Sequence, residues 1–325
     1  MEKIFVSNLK ADEPVHTVFL VREKNLGTGK NGRPYLTFIL ADRSGEVDAR
    51  LWDNAEHTHR QVSVGDFVLI KGVVQLFQNR KQVIVHTVEE VHPENYKMAD
   101  FMPATAQDVE KMFAELLGFV EEVRNEYIRG LLLETLRNDE VAAKFKKCPA
   151  AKTIHHAYIG GLLEHVLSMC GIMRALAGHY KALDYDLLIF GAIYHDLGKI
   201  WELSYDTSFA YTDEGRLLGH HVLACEYIER LSGKVLGFPR DLKLMLKHIV
   251  LSHHDKLEFG SPKRPKFLEA FVVAMVDDLD SKINTMERLM EMDSSSGERW
   301  SRYSALFDRY FFLEPYRQQV VKSDD

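Results

Sequence analysis

Residues 193–200 read IYHDLGKI, and the adjacent pair His195–Asp196 within them decides how the second half of the chain is read. A His-Asp dipeptide alone means little. Here it follows the apolar run Leu187, Leu188, Ile189 and Ile193 and precedes Gly198 and Lys199. Histidines flank it on both sides: His165 in GGLLEHV upstream, then His220-His221, His248 and His253-His254 downstream. Asp277-Asp278 and Asp280 close the series. Imidazoles and carboxylates at the ends of several helices are what a divalent-metal hydrolase requires, because both donor types suit the same borderline and hard ions.

Apolar residues at three- and four-residue spacing place each of these groups on a predicted helix of its own. His165 lies in GLLEHVLSMCGIMRALA, and His195-Asp196 end DLLIFGAIYHDLGK. His220 starts GHHVLACEYIERL, His253-His254 end LKLMLKHIVLSHHD, and Asp277 falls within EAFVVAMVDDLDSKINTM. A site between bundled helices follows naturally. Any one of these histidines, taken alone, reads as a hydrogen-bonded and partly buried imidazole, but chance rarely supplies the whole set in order. His248 precedes His253 by five residues, faces another direction on an ideal helix, and is expected to be structural. His155-His156 are expected on the surface or behind the ligands, a phosphate or sugar contact being the alternative. Glu164 is expected to be solvated.

Upstream the period changes. Residues 14–92 carry short β-rich runs separated by turn residues: VHTVFLVREK, the Gly-rich NLGTGKNGRP, YLTFILAD, a turn at Arg43-Ser44-Gly45, EVDARLWD, FVLIKGVVQLF and KQVIVHTVEEV. Five such strands, with a short helix expected between Asp53 and Val62, predict a small OB-fold barrel. In such a barrel the binding surface lies on strands 2–3 and on the loops at residues 24–34 and 76–82. Tyr35, Phe38, Trp52 and Phe77 are candidate base-stackers, with Arg33, Arg80 and Lys81 for phosphates. Alternating members of that aromatic set are equally the expected barrel core.

The predicted organisation is therefore two-domain, a small N-terminal OB-fold β-barrel followed by an all-α helical bundle. Residues 1–92 form the barrel, 93–140 a polar linker and connecting helix, 141–315 the helical domain with one hairpin near 203–219, and 316–325 a frayed tail. The chain of 325 residues is long enough for two cores. Its hydrophobic fraction of 46% and charged fraction of 27% are those of a soluble protein. No apolar run reaches the ~18–20 residues of a membrane span, and the start MEKIFVSNLKADEP has no secretory pattern, so the cytoplasm is the expected compartment. Cys148, Cys170 and Cys225 are too sparse for a disulfide framework and read as buried thiols. The net charge of −7 leaves nucleic-acid binding to local basic clusters. These are Lys24, Lys30 and Arg33; Arg80-Lys81; Lys144, Lys146-Lys147 and Lys152; and Lys263-Arg264 with Lys266. A solvated surface is the ordinary reading of each.

The order H…HD…H…HH…D resembles that of the HD-domain metal-dependent phosphohydrolases. With the strings GGLLEH, HDLGK, LLGHH, LSHHD…GSPKRP and VDDLDSK, and the OB-type YLTFILADRSGEVDARLWD, the chain is similar over nearly its whole length to the YhaM-type 3′–5′ exoribonucleases. The resemblance implies an HD-domain bundle with two divalent metals, manganese favoured and iron or cobalt suiting the same donors. It assigns His165, His195, Asp196 and Asp277 to a first ion. A second shares Asp196 and adds His220, His253 and His254. Asp196 and Lys199 take catalytic roles, Lys199 at a phosphate oxygen. His221 in place of His220, and Asp278 in place of Asp277, remain open. The implied reaction removes nucleotides from the 3′ end of single-stranded RNA, and by extension of single-stranded DNA, releasing 5′-nucleoside monophosphates. Lys263 and Arg264 would meet the nucleic-acid backbone. The stretch DKLEFGSPKRP lacks the glutamate and Tyr-Pro of the cyclic-dinucleotide branch of the superfamily, which speaks against that substrate. Two alternatives stay open: a nucleotide or cyclic-nucleotide phosphohydrolase with a regulatory barrel, and an RNA-binding adaptor with an inactive helical domain. No membrane partner is expected, and the free helical faces leave room for a homo-oligomer.

Overall fold

The computed structural model describes residues 3–29, 32–77, 80–102, 104–151, 156, 158–205, 210–294, 299–301, 303–304 and 306–314. The chain divides into two compact units, Met1–Ala106 with Ser204–Ala210, and Gln107–Leu203 with Tyr211–Asp325.

The first unit is a closed barrel of five strands: β1 (Pro14–Thr28), β2 (Pro34–Asp42), β3 (Gly45–Leu51), β4 (Phe67–Phe77) and β5 (Arg80–Glu90), in the order β1-β2-β3-β5-β4. Helix α1 (Ala55–Gln61) bridges β3 and β4. This is the expected OB topology, including the parallel closure of β3 on β5, with Asp48 opposite Gln82. Strand β1 serves two partners. Its first half pairs with β4, Pro14 opposite Val73, and its second half with β2, Asn25 opposite Thr37. A register shift between Val21 and Glu23 bends it from one to the other, as barrel closure requires. The strand therefore runs through Asn25–Thr28, which reads as turn from composition alone. A second shift, at Lys71/Gly72 on β4, brings two backbones together, and a Cβ on Gly72 would lie 2.2 Å from the Ile84 carbonyl oxygen.

Alternation along β2 decides one of the open choices. Leu36, Phe38 and Leu40 point inward and are buried with Phe19, Ile70 and Val83, while Tyr35, Thr37 and Ile39 face outward. Phe38 is therefore barrel core, 1% exposed, which removes it from the candidate base-stackers and leaves the core reading standing. A phenylalanine buried to that degree contributes roughly 1.5–3 kcal/mol relative to exposure.

The second unit is helical: α2 (Val109–Glu121), α3 (Glu126–Leu136), α4 (Asp139–Lys147), α5 (Gly161–His179), α6 (Tyr185–Tyr194), α7 (Lys199–Glu202), α8 (Asp213–Leu217), α9 (Gly219–Ser232), α10 (Arg240–Ser252) and α11 (Leu268–Ser294). The periodic stretch 108–136 folds as two helices. The break comes at Asn125, whose side chain caps α3 by accepting from the amides of Tyr127 and Ile128. The Asp186 carboxylate accepts from the amides of Arg124 and Asn125, pinning the break to α6. Helix α6 is buried from Leu187 through Tyr194, which explains why its sequence is apolar without a period. The 203–219 region holds the expected small strand pair, β6 (Leu203–Ser204) with β7 (Ala210–Tyr211). Residues 299–313 were expected to be helical. They form instead a short antiparallel hairpin, Trp300 opposite Phe312 and Ser304 opposite Arg309. Cys148 and Cys170 are buried and Cys225 half-buried, none of them disulfide-bonded. No helix among the described residues is long and apolar enough to cross a membrane.

Candidate metal centre

Close helix packing delivers the candidate ligands. A Cβ on Gly191 would lie 2.4 Å from Val273 and 3.2 Å from Ile249 side-chain atoms, so α6 sits tight against α11 and α10 one turn before His195. Asp277 lies in α11, and His253 directly follows α10. Gly198 plays the same part toward α9, since its Cβ would fall 2.0 Å from the carbonyl oxygen of His220. The glycine of HDLGK is required by that backbone approach, its own φ of −58° being open to any residue.

The side chains so delivered converge. His165 Nε2 lies 3.2 Å from His195 Nε2 and 3.2 Å from Asp277 Oδ1. Asp196 reaches two ways. Its Oδ2 is 3.3 Å from His195 Nε2, and its Oδ1 is 3.7 Å from His220 Nε2 and 3.6 Å from His253 Nε2. Among the described residues three groups able to hold a metal result, His165/His195/Asp277, His220/His221/His253/His254 and His156/His165/Asp280, each with donor atoms within 4.8 Å of one another. Asp196 stands between the first two.

The far side of each ring is held by an acceptor, which fixes its tautomer. His165 Nδ1 donates to Asp280 Oδ2 at 2.7 Å, and Ser168 donates to the other oxygen of that carboxylate. His195 Nδ1 donates to the Ala192 carbonyl at 3.0 Å and His253 Nδ1 to the Val250 carbonyl at 2.8 Å. His220 donates both its Nδ1–H and its backbone N–H to Glu202 Oε1, each at 3.0 Å. With Nδ1 donating in this way, His195, His220 and His253 turn their Nε2 atoms into the same space. Carboxylates or carbonyls behind the ligating histidines are the usual support of a metal site.

The protonation states suit a cation. Burial holds the His220 imidazole well below its ordinary pKa. Burial, joined by neighbouring imidazoles, pushes His221 down to about 3 and His254 to about 4. Burial would raise Asp196, but the adjacent Lys199 and His195 outweigh it and keep the carboxyl ionised. His165 is the exception. Burial depresses it, yet its hydrogen bonds to Asp277 and Asp280 carry it up to about 9. A metal ion there would compete with that proton. Asp196 Oδ1 and the Nε2 atoms of His220, His221 and His253 are buried with no hydrogen-bond partner. Each such atom costs about 1–3 kcal/mol. Four in one spot, all lone-pair donors, fit a divalent ion and little else.

Several sequence alternatives resolve here. Asp277 is buried among the histidines, whereas Asp278 is exposed and paired with Lys282 at 2.6 Å. His220 and His221 both face the cluster, the His221 ring stacking on His253 at 4.7 Å. His248 accepts from the Lys266 amide at 3.0 Å and lies outside it. His156 is buried beside His165, ring centroids 5.3 Å apart, and its backbone amide donates to Asn284. His155 and Lys152 lie outside the described residues. The Lys199 ammonium donates to Asp196 Oδ2 and to the Ala150 carbonyl, both at 2.6 Å, so it orients Asp196 where a phosphate contact was expected. Sequence reasoning missed Glu202 altogether and gave Asp280 no role. Nothing in the spacing of Glu202 marks it, whereas Asp280 follows Asp277 by three residues and therefore shares its helix face.

On the barrel, Tyr35 and Trp52 lie side by side with ring centroids 5.1 Å apart. Arg50 stands over Tyr35 at 5.9 Å and over Phe77 at 5.4 Å. Trp52 and Phe77 are about half exposed, and Tyr35 lies against Gly27, where a Cβ would come within 2.8 Å of its ring. Arg50 is a second residue the sequence reading missed, although its alternation with buried Ala49 and Leu51 was the signal. Arg33 and Lys81 are exposed. The Arg80 side chain lies outside the described residues, as does Lys30. Lys24 closes α1 by donating to the carbonyls of His59 and Val62. Lys263 and Arg264 are exposed in the loop that follows His253-His254.

Comparison with known proteins covers both units. Residues 17–91 match the family of OB-fold nucleic acid binding domains of the tRNA anticodon type, and residues 162–282 match the HD domain family. Over 307 residues the chain is 34% identical to the 3′–5′ exoribonuclease YhaM of Halalkalibacterium halodurans, covering 94% of this chain and 95% of that protein. It is 35% identical to the Bacillus subtilis protein of the same name and 34% to that of Bacillus velezensis, covering 94% of this chain and 96% of each.

Proposed function

The chain belongs to the family of the 3′–5′ exoribonuclease YhaM, and from that premise we propose that it shortens single-stranded RNA from the 3′ end and releases 5′-nucleoside monophosphates. The observation that carries this reading is the set of buried, unpartnered donors on Asp196, His220, His221 and His253, in a chain that also holds a nucleic-acid-type barrel. The barrel within residues 1–92 captures the strand, and the helical unit, to which the expected connecting stretch belongs from Gln107 onward, hydrolyses it. Single-stranded DNA, which presents the same phosphodiester, is a second substrate.

His165, His195, Asp196 and Asp277 would hold one ion. Asp196 with His220, His253 and His254 would hold another, and His221 stands close enough to join them. Manganese is the favoured metal, since mixed nitrogen and oxygen donors without thiolate suit it, as they do iron and cobalt. When bound, such ions supply Lewis acidity to the phosphodiester oxygens and lower the pKa of water. The chain's own residues do the rest. Lys199 holds Asp196 ionised and aimed, while Glu202, Asp280 and the Ala192 and Val250 carbonyls keep the Nε2 atoms turned inward. Burial keeps water from competing for those donors. On the barrel, Tyr35, Trp52 and Phe77 stack on bases while Arg33, Arg50 and Lys81 meet phosphates. Lys263 and Arg264 meet the backbone beside the metal centre.

The test uses 5′-labelled single-stranded RNA and metal-free protein, with and without Mn²⁺, resolved on a sequencing gel. The expected result is a Mn²⁺-dependent ladder that shortens from the 3′ end. An RNA left uncut in every divalent metal, with mononucleotides hydrolysed, would overturn the reading in favour of a small-molecule phosphohydrolase.

A further inference from the structure

A cleft of about 720 Å³ opens beside the histidine cluster. His253 and His254 line it together with Met275 of α11 and Leu306 and Phe307 of the 299–313 hairpin. Its size lies within the range of pockets for small organic ligands. Its lining joins imidazoles from the candidate metal centre and the polar side chains of Asp255, Lys256, Asp278, Ser281, Lys282 and Thr285 to an apolar wall of large side chains left open to solvent. Met275 is 49% exposed and Leu306 58%. Apolar groups facing water next to a charged centre suit a ligand that is itself half charged and half apolar.

The hairpin holds its tip in place. Ser301 N–H donates to the Phe311 carbonyl at 2.8 Å, Ser304 N–H to Arg309 at 2.9 Å and Leu313 N–H to Arg299 at 2.9 Å. Phe311 N–H donates to Ser301 Oγ at 2.9 Å, and Leu313 is fully buried. Phe307 packs edge-on against Phe311 at 5.3 Å, which steadies its ring.

We propose that this cleft seats the 3′-terminal nucleoside of the RNA, with its base against Phe307, Leu306 and Met275 and its 5′-phosphate toward His253 and His254. The proposal rests on the exonuclease reading and adds to it a subsite for the departing nucleotide. A base offers an apolar π-face whatever its identity, so an aromatic and aliphatic wall accepts each of the four bases in turn. That tolerance is what stepwise shortening needs.

The test compares two oligoribonucleotides that differ only in whether the 3′-terminal nucleotide carries a base. The full-length wild-type protein is expected to prefer the intact end by about tenfold or more in kcat/KM, the scale of one stacked base. Phe307→Ala is expected to collapse that preference toward one, and Phe307→Trp to restore it. In the Mn²⁺-loaded protein, for which AMP is a product and not a substrate, Phe307→Ala is expected to weaken AMP binding by about the same factor. Met275→Ala, an exposed position on a different element, gives a second reading should Phe307→Ala fail to fold. A Phe307→Ala protein that keeps both the preference and the AMP affinity of the wild type would overturn the proposal and leave the exonuclease reading standing. If no oligonucleotide is shortened at all, the exonuclease reading falls, and the AMP comparison still decides whether the cleft binds a nucleotide.

Discussion

The two units place their functional side chains on opposite sides of their cores. In the barrel, inward positions build the core and outward ones form the candidate binding face. Phe38 is buried while its neighbours Tyr35 and Thr37 look out. In the helical unit the candidate ligands are buried: His165, His195, Asp196 and His253 are all 1% exposed or less. A surface that stacks bases shares its work among residues, so the loss of one is graded. A buried centre whose donors hold each other in place fails as a unit.

The sharpest way to break that contrast is at Asp196. Asp196→Ala removes the carboxylate that stands between both groups of donors and leaves Lys199 buried without its partner. Turnover of 3′-ended RNA is expected to fall by at least about a thousandfold. Chelation of the wild-type protein is expected to match that loss and to be reversed by Mn²⁺. Activity within tenfold of wild type in a folded Asp196→Ala protein would disprove the site.

Next comes a substitution that separates the two faces of one strand. Phe38→Ala is expected to destabilise the barrel by about 3–5 kcal/mol, measured by denaturant unfolding of the full chain. Tyr35→Ala, three residues earlier and on the outer face, is expected to change stability by less than about 1 kcal/mol. Equal losses would mean the outer face is structural too.

Glu202→Gln sharpens the comparison within the helical unit. It keeps an acceptor for His220 but removes the negative charge behind the ring. Metal affinity is expected to fall about 10–100-fold, with activity recovered at high metal. Titration of the metal-free protein checks it, and unchanged affinity would reduce Glu202 to a packing residue. The smallest effect is expected from the barrel. Trp52→Ala should weaken binding of single-stranded RNA by about tenfold, with little change in turnover at saturation. Fluorescence anisotropy with labelled RNA measures the first and single-turnover rates the second.

Much of this was legible from residue identity. The HD pair, the other histidines and the aspartates are rare side chains in a fixed order, and the strands announced themselves by period. The residues that were misread or missed share a cause. Phe38 was ambiguous because a one-residue change of register moves a side chain from the core to the surface, and no pattern declares which face is wet. Glu202 was invisible because its partner, His220, lies eighteen positions away across three further elements. The 299–313 hairpin was counted with the helical domain because its aromatic residues have no clear period to set it apart.

The sequence by itself determined the barrel followed by helices and the list of candidate metal-binding side chains, since these depend on local periodicity and on which atoms can donate a lone pair. Only the tertiary structure decided which nitrogen of each ring faces the centre, that Lys199 holds Asp196, that Asp277 and not Asp278 is inside, and that an apolar hairpin tip borders the site. Those outcomes follow from long-range contacts, in which a hydrogen bond or a close backbone approach joins residues that no local pattern links.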